Sequence, residues 1–153
     1  MTVAALHELH AVARVGSERL AFAVRDVEAV LDAPTLLPVP GANGGLVGQV
    51  EHRGETLRAH RLADLLAVRG SATPGTVLIV VRGTRRIALC VDDVEDLAAV
   101  QGDRIRAVPH GLDPAGVLRG IWLGPSAGDP MAGLVDADAI IAAVLSERTG
   151  QAA

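Results

Sequence analysis

Short runs of Val, Leu, Ile and Ala alternate along this chain with Gly, Pro and Asp, and few of the runs are long enough for a helix. Glycine occurs 17 times and proline 8 times in 153 residues, and they mark most of the boundaries between runs. Such punctuation predicts many short strands joined by tight turns. Residues 10–15 and 19–24 flank Gly16, Ser17 and Glu18 as a hairpin with Gly at its turn. Residues 46–51 and 55–60 bracket Arg53-Gly54 as a second hairpin, and 76–81 and 85–91 flank a third turn at Arg82, Gly83 and Thr84. Residues 26–32 alternate polar and apolar, which suits a half-buried strand. Further strands are expected at 94–100, 104–108, 117–123 (broken by Gly120) and 131–135. The Pro- and Gly-rich stretches 34–45, 70–75 and 109–116 are read as loops.

Only two segments read as helix. Residues 62–68 are a short apolar turn with Gly70 as a stop signal, and 137–148 carry Ile140, Ile141, Val144 and Leu145 at helical spacing. About ten short strands and two small helices predict two small β-barrels or a sandwich, divided near residues 70–76. No close internal repeat marks equivalent halves. Half of the residues are hydrophobic, so the chain has enough apolar surface for a core of its own.

Composition removes several functions. All 14 basic residues are Arg, which excludes a P-loop lysine, a Schiff-base lysine and a lysine general base. The aromatic side chains are Phe22 and Trp122 alone, too few to stack single-stranded nucleic acid. A formal charge of −4 also argues against binding phosphate backbones. The single cysteine, Cys90, has no disulfide partner and cannot assemble a thiolate zinc site, so it reads as a small buried hydrophobe. No signal peptide is visible, since His7, Glu8 and His10 interrupt the start. The longest uncharged run, 33–50, holds three prolines and four glycines and cannot be a spanning helix. A cytoplasmic protein without membrane insertion is expected.

The candidate catalytic motifs are each incomplete. Gly124-Pro125-Ser126-Ala127-Gly128 has the spacing of a nucleophile elbow, but Asp129-Pro130 follows where a helix is needed. The last His in the chain, His110, also precedes the Ser. A small serine hydrolase using Ser126 is therefore the weakest alternative. His7 and His10 could share one face of a helix, yet no third ligand is in sight, and an exposed pair is expected. Asp92, Asp93, Glu95 and Asp96 form a dense acidic cluster, read as a solvated turn because neighbours on a strand point to opposite faces. Residues 41–48 lack both the lysine and the glycine spacing of a phosphate cradle. No cofactor and no metal are expected, and a binding module remains.

Taken in order, several segments resemble the CheW-like domain of bacterial chemotaxis coupling proteins. They are residues 19–30, the Leu-Leu-Pro-Val-Pro at 36–40, Leu46-Val47-Gly48, Arg53-Gly54, Val91-Asp92-Asp93-Val94, Gly120-Ile121 and residues 134–138. The resemblance implies one CheW-like domain over 10–148, with residues 1–9 and 149–153 as flexible termini. It implies two packed five-stranded SH3-like barrels with a short internal helix and a C-terminal helix. It further implies a non-enzymatic adaptor that docks on methyl-accepting chemoreceptor cytoplasmic tips and on the regulatory domain of the histidine kinase CheA. Matched residue by residue, the receptor would meet Val27, Arg53, Gly54 and Leu97, and the kinase would meet Gly48. Two departures stand out. Glu51-His52 replaces the Asn-Leu that usually precedes Arg-Gly, and Arg61 stands where an Asp is common. Arg58 and His60 put polar side chains on one strand face, expected to be solvated. The altered strand motivates an alternative, an accessory adaptor that binds a receptor but not the kinase.

Overall fold

The computed structural model describes residues 7–32, 34–38, 46–69 and 75–152, with side chains described from Glu8 to Ser146 of these. Among these residues, eleven strands form two sheets. The strands are β1 (His7–Val15), β2 (Glu18–Ala23), β3 (Val27–Asp32), β4 (Leu46–His52), β5 (Glu55–Arg61), β6 (Thr76–Arg82), β7 (Arg85–Val91), β8 (Asp93–Gln101), β9 (Ile105–Arg106), β10 (Leu118–Trp122) and β11 (Ala132–Val135). A six-stranded sheet has the order β8-β1-β2-β11-β10-β9, and a five-stranded sheet has the order β3-β6-β7-β5-β4. The α-helices among the described residues are α1 (Leu62–Leu66) and α2 (Ala137–Ala152).

The expected division near 70–76 is not where the sheets part. Residues 70–74 lie outside the described residues, and the strands on either side of them, β5 and β6, belong to one sheet, where both pair with β7. The chain changes sheet at a 3-10 turn, Val24–Asp26, and again at Asp92. The Asp92 backbone N–H donates to the Arg14 carbonyl at 3.0 Å, and its carboxylate accepts the Gly16 N–H at 2.7 Å. Asp92 is therefore the pin of a crossover rather than a solvated turn. Composition marks breaks between strands, whereas sheet membership depends on hydrogen-bond partners far away in sequence.

Period-two alternation sorts the apolar side chains into three cores. Leu20 and Phe22, Leu78 and Val80, and Ile87 and Leu89 face a shared core between the sheets, with Leu62 of α1 and Ile140, Ile141 and Val144 of α2. Ala21 with Val12, Trp122 and Leu134 fills a core private to the six-stranded sheet. Val77, Ile79, Ala88 and Cys90 fill one private to the five-stranded sheet. Each fully buried Leu, Ile or Phe contributes about 1.5–3 kcal/mol relative to exposure, so the shared core is the main bond between the sheets. Helix α2 starts where Asp136 caps it, its carboxylate accepting the Ala139 N–H at 3.0 Å. It runs into the segment expected as a flexible terminus. Helix α1 stops before Gly70, because Ala67 takes the left-handed cap at φ 57°.

Other expectations change in detail. β1 takes in His7, Glu8 and Leu9, which were expected in a flexible tail, because they pair with residues 99–101 of β8. Gly120 does not break its strand, and the expected strand 104–108 shrinks to Ile105–Arg106 after a 3-10 turn at Gly102–Arg104. Four irregularities interrupt the ladders. Val27 pairs with Val80 and Ala29 with Ile79, so Glu28 is an extra residue bulged from β3. By the same count Glu95 is bulged from β8, Arg119 from β10 and Val47 from β4.

Candidate functional site

The β4–β5 turn consists of two residues, Arg53 at φ 52° and Gly54 at φ 76°. Positive φ at both central positions suits the right-handed twist of a tight hairpin. Glycine adopts it readily, but for arginine the left-handed region costs about 1 kcal/mol. Arg53 is exposed and makes no hydrogen bond or ion pair among the described residues.

Beneath this tip lies a hydrogen-bonded ring of polar and charged side chains. His52 and Glu55 are the last paired residues of the hairpin. His52 donates from Nε2 to Glu28 Oε2 at 2.8 Å. Arg86 of β7 donates to Glu28 Oε1 at 2.9 Å and to Glu55 Oε1 at 2.8 Å, which closes the ring. The side chains of His52 and Glu28 are only 11% and 14% exposed. The Arg86 bond holds the Glu28 carboxyl below the usual carboxylate range against the opposing effect of burial, with smaller help from His52 and from the nearby Arg53 charge. The same bond raises Arg86 above the ordinary guanidinium value.

The residues matched to the receptor fall into two groups. Val27 begins β3, half-buried against the shared core, and its neighbour Glu28 bonds the hairpin that carries Arg53 and Gly54. Leu97 lies on the other sheet, in edge strand β8, opposite Ala11 and 58% exposed. Leu9, opposite Ala99 and 52% exposed, adds apolar surface two residues along β1 from Ala11. Leu9, and the ring of Glu28, His52, Glu55 and Arg86, escaped the sequence reading. The strand alternation of 26–32 did hint at Glu28, but not at its partners.

Gly48, matched to the kinase, is pressed against the chain itself. A Cβ there would lie 2.8 Å from the Leu37 carbonyl oxygen and 3.3 Å from Leu36 Cβ. The absence of a side chain lets Leu37 and Gln49 exchange two backbone hydrogen bonds of 2.8 Å. Beside this contact, an open groove of about 530 Å³ runs between β3 and β4, lined by Val30, Leu31, Leu37 and Val50 with Asp32 and Glu51 at its rim.

The rejected chemistries also find places. Ser126 sits in an exposed turn closed by Asp129, whose carboxylate accepts the Ser126 N–H at 2.8 Å, and the next element is β11 rather than a helix. His10 is buried, not exposed as expected, because β1 lies between β8 and β2 in the sheet rather than at a frayed end. Its Nε2 accepts from Arg119 at 3.0 Å while Nδ1 donates to the Glu8 carbonyl. Burial and, less strongly, Arg119 lower its pKa to about 4, so the ring is neutral; Asp26 opposes weakly. His60 is buried too, although Arg58 on the same strand is exposed. Cys90 is buried, and desolvation pushes its thiol up to about 11, which keeps it protonated and inert. Among the described residues, no three of His, Cys, Asp and Glu gather as a metal site, and no helix is long and apolar enough to cross a membrane.

Comparison with known proteins gives this architecture a family. A search of curated proteins returned no match. Among solved structures, the chain is similar to the scaffolding protein TtCheW from Thermoanaerobacter tengcongensis. The two share 19% identity and a TM-score of 0.72 over 85% of this chain and 89% of that one. At that identity the likeness speaks for the fold. The family model described as CheW-like domain matches residues 10–145. The chain belongs to the CheW-like family of chemotaxis adaptors, which are scaffolds without catalysis of their own.

Proposed function

We propose that this chain couples the cytoplasmic tips of chemoreceptors to the regulatory domain of the histidine kinase CheA, and that it works in the cytoplasm. The observation that carries the receptor half is Arg53. It occupies an unfavourable backbone conformation on a braced tip, and its guanidinium has no partner within the described chain. A receptor tip is a helical hairpin, and a guanidinium can hold a carboxylate or carbonyl on a helix surface in fixed geometry. Val27 and Gly54 belong to the same receptor surface, and Leu97 extends it across the neighbouring sheet. For the kinase half, the β3–β4 groove beside Gly48 offers apolar side chains and open strand edges, a surface suited to a folded partner. Each sheet, with its private core, would curl into an SH3-like barrel.

The test is a titration of a receptor-tip fragment, and separately of the CheA regulatory domain, into wild type and Arg53→Ala. Arg53→Ala should lose about 1–3 kcal/mol of receptor binding and leave the melting temperature nearly unchanged. Equal receptor affinities would remove Arg53 from the site. Receptor binding without any kinase binding in wild type would make the chain an accessory adaptor.

A further inference from the structure

We propose that Glu28 is a positioning residue, which braces the β4–β5 tip through the His52–Glu28–Arg86–Glu55 ring and so presents Arg53 outward in one orientation. The inference rests on the receptor reading for its consequence, though not for its mechanics. Four observations combine. The ring engages the residues on both sides of the turn, His52 and Glu55, and ties them to two other strands, β3 and β7. Glu28 is the bulged residue of β3, so its side chain is released from the in–out alternation and can turn to the hairpin. Both carboxylate oxygens of Glu28 are occupied, one by His52 and one by Arg86. Arg53 therefore acts on Glu28 through its charge without being bonded to it.

These facts explain an otherwise awkward arrangement. A two-residue turn with an arginine in the left-handed region stands at the end of an edge-strand hairpin, where fraying is easiest. An unbraced tip would sample several orientations, and a partner would have to order it on binding. The ring orders it beforehand. It also engages each Glu28 oxygen with a group other than Arg53, so the nearby carboxylate offers the guanidinium fewer sites to fold back onto.

The experiment measures amide exchange at Glu55, whose pairing with His52 closes the turn, and receptor-tip affinity in the same set of full-length proteins. The set is wild type, Glu28→Gln, Glu55→Gln, Arg53→Ala and the Glu28→Gln/Arg53→Ala double variant. Glu28→Gln should exchange about tenfold faster at Glu55, and it should bind the receptor tip more weakly by a similar factor of about ten. Its effect on binding should disappear in the Arg53→Ala background, because a residue acting through Arg53 has nothing left to position. Glu55→Gln, altered at the most exposed member of the ring, should accelerate the same amide and provides the readout if Glu28→Gln folds poorly. Unchanged exchange in the folded variants would overturn the brace. An undiminished binding loss in the double variant would make Glu28 an independent contact and overturn the positioning role. Faster exchange together with wild-type binding by Arg53→Ala would leave the brace standing and sink the receptor reading instead.

Discussion

Two hairpins of the five-stranded sheet use arginine in opposite ways. At the β6–β7 turn, Gly83 takes the left-handed position at φ 62°, and the arginines form the last strand pair, Arg82 with Arg85. Both donate to Asp138 of α2, at 3.1 and 2.8 Å, and Arg82 also donates to the buried Asp26 at 3.3 Å. At the β4–β5 turn the arrangement is inverted. The strand-end pair, His52 with Glu55, holds the hairpin down, and the arginine occupies the turn itself and faces outward. The first hairpin uses its guanidinium groups as struts between sheet and helix. The second leaves its guanidinium unbonded among the described residues.

The largest effect that would sharpen this contrast concerns a third arginine, one bonded to a buried histidine. Arg119 donates to His10, whose pKa is lowered to about 4, chiefly by burial. The unfolded imidazole takes up its proton near pH 6.5, whereas the folded one does so only near pH 4. As pH falls between these values, the unfolded state binds a proton that the native state does not, and stability declines by up to about 3 kcal/mol. Thermal unfolding followed from pH 7 to pH 4.5 should show that decline, and His10→Gln should flatten it. An unchanged slope in the variant would mean that another group causes the loss.

A smaller effect is expected at the struts. Arg82→Ala leaves the Asp26 carboxylate buried without its cation and should lower the melting temperature by several degrees, with receptor-tip affinity unchanged. A loss of affinity there would erase the distinction between the two hairpins. The smallest effect runs the other way. Arg53→Gly removes the left-handed strain and should raise the melting temperature by about 2–4 °C. A lowered melting temperature would show that Arg53 also supports the fold.

Most strands were legible because alternation and turn chemistry are local. The pair Arg53-Gly54 announced its hairpin, and the apolar spacing of Ile140, Ile141 and Val144 announced α2. Sheet membership was not legible. Nothing in Val24–Asp26 or at Asp92 signals a change of sheet, since the deciding bonds join β1 to β8 and β2 to β11 across long stretches of chain. The tip was visible as a turn, but its brace was not. Glu28 and Arg119 are single insertions into otherwise regular ladders, and one extra residue leaves no period to detect. The burial of His60 is not legible from alternation, because Arg58, two residues earlier on the same strand, ends in solvent.

Those insertions share one physical property. Three of the bulged residues are charged and paired: Glu28 with Arg86, Glu95 with Arg14 and Arg19, and Arg119 with Glu8. A bulged residue faces no partner across the ladder, so exchanging it reverses no neighbour from inside to outside. Mutation can therefore rewrite the charge at these points while the three apolar cores keep their sequence. The fold thus keeps its surface charge and its packing in separate sets of residues.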